Sequence, residues 1–192
     1  MLVGTHLLIG ENVYKYIKKN LNMELDKKRF LYGNIKPDVV FRLSSRSHRI
    51  KDSLGFVLEE IERLIRAKNI SLDQFSVDLG VISHFVSDFF CSPHFYERPE
   101  YDDIVKHLYY ELSLHNRFRK IVQANNEDFF QEEINNFKNK TYLEIIHLLK
   151  ESYIKNMISI KNDISHALRA SKVITKKIIE DSMFYKQKRI AA

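Results

Sequence analysis

VISHFVSDFFCSPHF, residues 81 to 95, decides how the chain is read, because it has the apolar content of a buried helix and yet carries His84, Asp88 and His94. Val77, Val81, His84 and Asp88 recur at intervals of four, three and four, the inward stripe of a packed helix. His84 and Asp88 therefore hold positions where Val or Leu would be ordinary, and their spacing stacks them one turn apart on one face. An imidazole and a carboxylate withdrawn from water are costly unless something pairs them.

Working outward, the rest of the chain has the same helical character. Its 192 residues, 44% of them apolar, suffice for a sizeable core and suggest one domain over residues 1–192. Five Gly, three Pro and no β-type alternation predict an all-α fold. Helices are expected at 5–20, 51–68, 72–90, 101–124, 127–138 and 141–154, with one or two more over 157–187. Thr5, Ser71, Asp73 and Thr141 are suitable starts, and Pro93 and Pro99 separate the third from the fourth. Residues 21–50, with Gly33, Pro37 and the run SSRSHR, read as irregular.

No apolar run approaches the roughly 20 residues of a membrane helix. The start MLVGTHLLIGENVYKY lacks a basic segment and a cleavage site, and Cys91 is the single cysteine, so a cytoplasmic location is expected. The formal charge of +6 favours anionic partners. Six of the basic residues lie between Lys172 and Arg189, where a solvated helix face is the simplest reading and a nucleic-acid platform the weaker one. No stable nucleic-acid partner is expected.

A second i, i+4 pair, His107 and Glu111, follows in KHLYYELSLH, and His94 lies beyond the end of the first helix. Imidazole and carboxylate are the usual non-sulfur ligands of zinc, and the same nitrogen and oxygen set would accept iron or manganese. Two such pairs and a loop histidine suit a metal site as well as a satisfied core, and spacing alone goes no further. Other motif classes fit less well. HExxH is absent, the adjacent His-Asp of the HD-type phosphohydrolases is absent, and Glu144 with His147 supplies one ExxH where a di-iron bundle needs two. His115 suits a core role or one orienting a ligand, His147 and His166 are ordinary, and Cys91 packs as a small hydrophobe.

With those residues in hand, the chain resembles the zinc-dependent phospholipase C and S1/P1 nuclease superfamily. GTHLLI offers His6, GNIKPDVVF offers Asp38, RSHRIKD offers His48, and His84, Asp88, His94, His107 and Glu111 follow in order. The resemblance implies a compact multi-helix bundle around a cluster of two or three zinc ions that hydrolyses phosphate esters such as a phospholipid head group or a nucleotide. It implies one zinc held by Asp38, His48, His84 and Asp88, a bridge from Asp88 to the zinc of His6, and a third group of His94, His107 and Glu111. Asp38 would also serve as the catalytic base, with Arg46 or Arg49 steadying phosphate oxygens. The secreted phospholipases of this family complete one zinc with an N-terminal tryptophan, whereas this chain has no Trp and begins five residues before His6. That departure keeps an alternative in view, a non-catalytic helical binding module stabilised by metal, alongside the HD-type reading.

Overall fold

A computed structural model describes residues 1–21, 23–98, 101, 103–124, 137 and 139–185. Nine helices are placed among them: α1 (Val3–Asn20), α2 (Lys27–Val39), α3 (Phe41–Ser44), α4 (Ile50–Arg66), α5 (Leu72–Asp88), α6 (Ser92–Phe95), α7 (Ile104–Gln123), α8 (Tyr142–Lys155) and α9 (Ile160–Asp181). No strand occurs among the described residues, so the all-α expectation holds. None of the described helices is long and apolar enough to cross a membrane.

α5 is the centre. Every residue from Phe75 to Asp88 is buried, which is what a helix apolar on all sides requires. Ser71 caps it by accepting from the Gln74 amide, as its sequence suggests. α1, α2, α4 and α9 pack around α5. The tightest approach is to α2, where Gly33 and Gly80 face each other. A Cβ on Gly80 would lie 2.8 Å from the Gly33 Cα and overlap the Phe30 carbonyl oxygen. Two residues without side chains thus let the backbones touch and bring the end of α2 beside His84 and Asp88.

Several boundaries differ from the sequence reading. Residues 21–50 are irregular only in part: 23–26 and 45–49 are loops, but Asp26 caps the Arg29 amide at 2.9 Å and starts α2, with Pro37 tolerated two residues before its end. α1 begins at Val3 rather than at Thr5, whose hydroxyl is buried against His115 Nδ1 at 3.2 Å. α7 starts at Ile104 because the Asp103 carboxylate accepts from the amides of Val105 and Lys106. α8 carries the capping box of Thr141 and Glu144, so that carboxylate is bound to its own helix start, while His147 is exposed. The helix expected at 127–138 lies outside the described residues apart from Phe137. The basic tail is not a solvated face at its first member. Lys172 is buried with its ammonium 5.5 Å from the centre of the Tyr16 ring, and Phe184 stacks on Phe75 in the core.

Candidate metal centre

α5 presents His84 and Asp88 from its last two turns, at the end of the bundle where the start of α1, the end of α2, the residues before α4, α6 and the first turns of α7 converge. All eight side chains singled out in the sequence are brought together there. They form three groups, each with ligand atoms within 4.8 Å of one another: His6, His84 and Asp88; Asp38, His48 and His84; and His94, His107 and Glu111. Asp88 joins them, with Oδ2 at 2.8 Å from His48 Nδ1 and 3.3 Å from His84 Nε2, and Oδ1 at 3.4 Å from His6 Nε2 and 3.8 Å from His94 Nε2. The rings of His6 and His84 stack with centroids 3.7 Å apart. His94 and His107 both reach Glu111 Oε1, at 3.1 and 2.9 Å.

Hydrogen bonds around the cluster decide which way the imidazole lone pairs face. His84 Nδ1 donates to the Asn34 carbonyl oxygen at 2.8 Å, one turn before Asp38 on α2. Ser87 Oγ donates to the His84 carbonyl at 2.8 Å, so His6 Nδ1, 3.2 Å from that hydroxyl, is the donor to it. His107 Nδ1 donates to the Tyr101 carbonyl at 3.2 Å. As neutral rings His6 and His84 therefore carry the proton on Nδ1 and turn a bare Nε2 towards carboxylate oxygens, whereas His107 also donates through Nε2 to Glu111 Oε1 at 2.9 Å, which raises its imidazole. Lone pairs opposed to anionic oxygens are repulsive without a cation between them. His6 Nε2 and Asp38 Oδ2 are both buried with no hydrogen-bond partner. Unpartnered acceptors of this kind, all nitrogen and oxygen, fit divalent zinc.

Burial drives the His6 imidazole down to about 3, with the neighbouring His84 adding to the effect, and burial likewise lowers His94. Burial alone would raise Asp88 and Glu111. The positive neighbours outweigh it, chiefly the amino terminus for Asp88 and the His107 hydrogen bond for Glu111, and hold both carboxyls below the usual range. Asp38, at the rim, is raised by burial.

The group that sequence reasoning missed is the α-amino nitrogen of Met1. It lies 2.7 Å from Asp88 Oδ1, 3.1 Å from His94 Nε2 and 3.2 Å from Glu111 Oε1, on a residue that is itself buried. Burial disfavours its charge, but Asp88 and Glu111 more than compensate and raise it to about 11. The signal for it was the short distance from the first residue to His6, since a helix starting at Val3 carries both to one end of the bundle.

Other residues fall where simple packing puts them. His115 bonds Thr5 rather than a residue of the cluster, and its ring lies against Gly4, holding α7 to the start of α1. The Arg46 guanidinium sits 4.0 Å from the Phe56 ring centre. Cys91 is buried, which pushes its thiol well up. His166 is buried and donates through Nδ1 to the Asn162 carbonyl.

No curated protein and no solved structure matches the chain. The model of a family described as zinc dependent phospholipase C matches residues 5–164, a span that contains every one of the eight side chains. The chain belongs to the zinc-dependent phospholipase C family.

Proposed function

We propose that the protein is a metal-dependent hydrolase of phosphodiesters in phospholipids, with Asp38, His48, His84 and Asp88 holding one zinc, His6 and Asp88 a second, and His94, His107 and Glu111 a third. The observation that carries this reading is the pair of bare Nε2 atoms of His6 and His84 turned towards Asp38 and Asp88 inside one contiguous cluster that His94, His107 and Glu111 extend. Bound zinc supplies Lewis acidity, neutralising phosphate charge and making water a nucleophile near neutral pH.

The chain's own residues do the rest. The Asp38 side chain is 18% exposed at the edge of the cluster, where its carboxylate can take a proton from the attacking water. The water oxygen bonds to phosphorus, the bond to the leaving glycerol oxygen breaks, and that oxygen takes up the proton that Asp38 received. Burial raises the Asp38 carboxyl, which strengthens it as a base. Asn34 and Ser87 keep the imidazoles of His84 and His6 turned inward through the cycle. Structural zinc sites are closed, whereas Asp38 and His107 leave this one partly open, with side chains 18% and 27% exposed. That opening favours turnover over a purely structural metal.

The test is metal analysis of the purified chain beside hydrolysis of bis(p-nitrophenyl) phosphate. Zinc should co-purify, and Asp38→Asn should lower kcat about a hundredfold or more while the helical circular dichroism is unchanged. Protein that takes up no zinc with all eight side chains intact, or an Asp38→Asn protein that turns over normally, would overturn the proposal.

A further inference from the structure

α7 contributes His107 and Glu111 to the centre, yet its outward side is apolar where a surface helix is ordinarily polar. Ile104, Val105, Leu108, Tyr109 and Leu112 are between 48% and 82% exposed. At 3.6 residues per turn they fall within an arc of about 140°, and His107 and Glu111 lie along one edge of that arc. Phe41, 86% exposed, and Val39 stand immediately after Asp38 on the other side of the centre. Exposed apolar side chains therefore flank the cluster on three elements, α2, α3 and α7.

Further along the same outward arc the character changes. Arg119 lies within it, Lys120 about 20° beyond its far edge and Arg117 about 80° beyond, so the basic residues turn from the arc towards the neighbouring helix. No acidic residue occurs from Leu112 to Gln123. Arg117, Lys120 and Lys161 line an open cleft of about 460 Å³ between α7 and the start of α9, with Ser113, Asn116 and Ser159. Met157, 88% exposed, and Ile158 directly precede Ser159, which caps α9 and lines that cleft.

We propose that the outer face of α7 docks the protein on an anionic phospholipid bilayer. The apolar first half enters the boundary between head groups and acyl chains, and the cationic second half with its cleft holds lipid phosphates. An apolar patch continuous with a basic one is the pattern of an interfacial helix, and charge decides for a lipid surface over an uncharged protein groove. α7 needs no refolding for this, because Leu114 and Phe118, outside the exposed arc, already anchor it in the core. Docking in this pose presents the edge bearing His107 and Glu111 to the lipid head groups, and in that respect it rests on the function proposed above.

Two readouts separate the two proposals: sedimentation of the full chain with vesicles of phosphatidylcholine, with or without phosphatidylglycerol, and hydrolysis of the soluble diester. The wild-type chain should sediment with vesicles containing phosphatidylglycerol and be released by salt. Leu108→Ser with Leu112→Ser should weaken sedimentation about tenfold or more, and Arg117→Glu with Lys120→Glu should abolish the preference for phosphatidylglycerol. Both double variants should hydrolyse the soluble diester at the wild-type rate. A wild-type chain that stays in the supernatant, or a double-serine variant that sediments as well as wild type, overturns the docking surface. A wild-type dimer that the serine changes dissociate, without vesicle binding, assigns the face to a second copy instead and also overturns it. Vesicle binding without any hydrolysis of the soluble diester would sink only the enzymatic reading.

Discussion

Asp163, buried on α9, accepts both the backbone amide of Ser92 at 2.7 Å and its hydroxyl at 2.9 Å. The same carboxylate accepts from Tyr153 at 2.6 Å and from Tyr110 at 2.8 Å. Ser92 stands two residues before His94, and Tyr110 directly before Glu111, so one carboxylate fixes both supports of the His94, His107 and Glu111 group. Asp163→Ala leaves these donors unsatisfied and should cost about 3 kcal/mol or more. Zinc affinity of the His94, His107 and Glu111 group should fall about tenfold or more, as expected when support of a ligand is lost. Thermal melts and competition with a zinc-sensitive dye check both, and Tyr153→Phe, which removes one donor, should show a much smaller loss.

The Gly33 and Gly80 contact gives a second expectation. A methyl group on Gly80 meets backbone on α2, which cannot move aside as a side chain can. Gly80→Ala should destabilise the protein by about 3 kcal/mol or more and separate Asn34 and Asp38 from His84. Denaturant melts together with zinc uptake measure it. Ala at Gly55, where no atom lies within 4 Å of the added carbon, serves as the tolerated control.

The ammonium of Met1 is expected to stabilise the metal-free protein. Residues placed ahead of Met1 turn it into an amide and remove the ammonium that Asp88 and Glu111 face. The cost should be about 3 kcal/mol, the scale for breaking one half of a buried ion pair. A cleavable leader tests this, since the melting temperature should rise when cleavage frees the amine. An unchanged melt on cleavage would remove the amine from the account.

Stability against pH follows from the same groups when zinc is chelated. Met1 is raised from 8.0 to about 11, so its contribution is complete below pH 8 and is lost as pH climbs towards 11. His6 is lowered from 6.5 to about 3, so the unfolded chain takes up a proton first and stability falls as pH drops through that interval. Asp88 and Glu111, held low, add to the acid loss, while Asp38 and Asp163, raised by burial, oppose it in part. The melting temperature of chelated protein should therefore be greatest between about 6.5 and 8 and decline on both sides. A flat profile from pH 4 to 10 would contradict these assignments.

Much of this was legible in the chain itself. The i, i+4 pairs His84–Asp88 and His107–Glu111 needed only helical periodicity, because spacing along a helix sets which side chains share a face. Ser71 and Thr141 declared their helix starts through local hydrogen bonds, which depend on nearest neighbours in sequence. Asp26 and Asp103 are caps of the same kind, and α2 escaped notice because Gly33 and Pro37 read as breakers when each is compatible with the helix where it falls.

Periodicity and residue order were enough for the all-α character, the inward stripe of α5, and the ordered set from His6 to Glu111 that resembles a phospholipase C. Tertiary structure alone decided that Gly33 and Gly80 would meet, that Asn34 and Ser87 would turn imidazole lone pairs towards Asp38 and Asp88, and that the Met1 amine would reach Glu111. Each is a contact between segments far apart in the chain, and no local spacing encodes such contacts. They exist because burying α5 on all sides forces its neighbours to converge at one end, where polar atoms withdrawn from water must find partners.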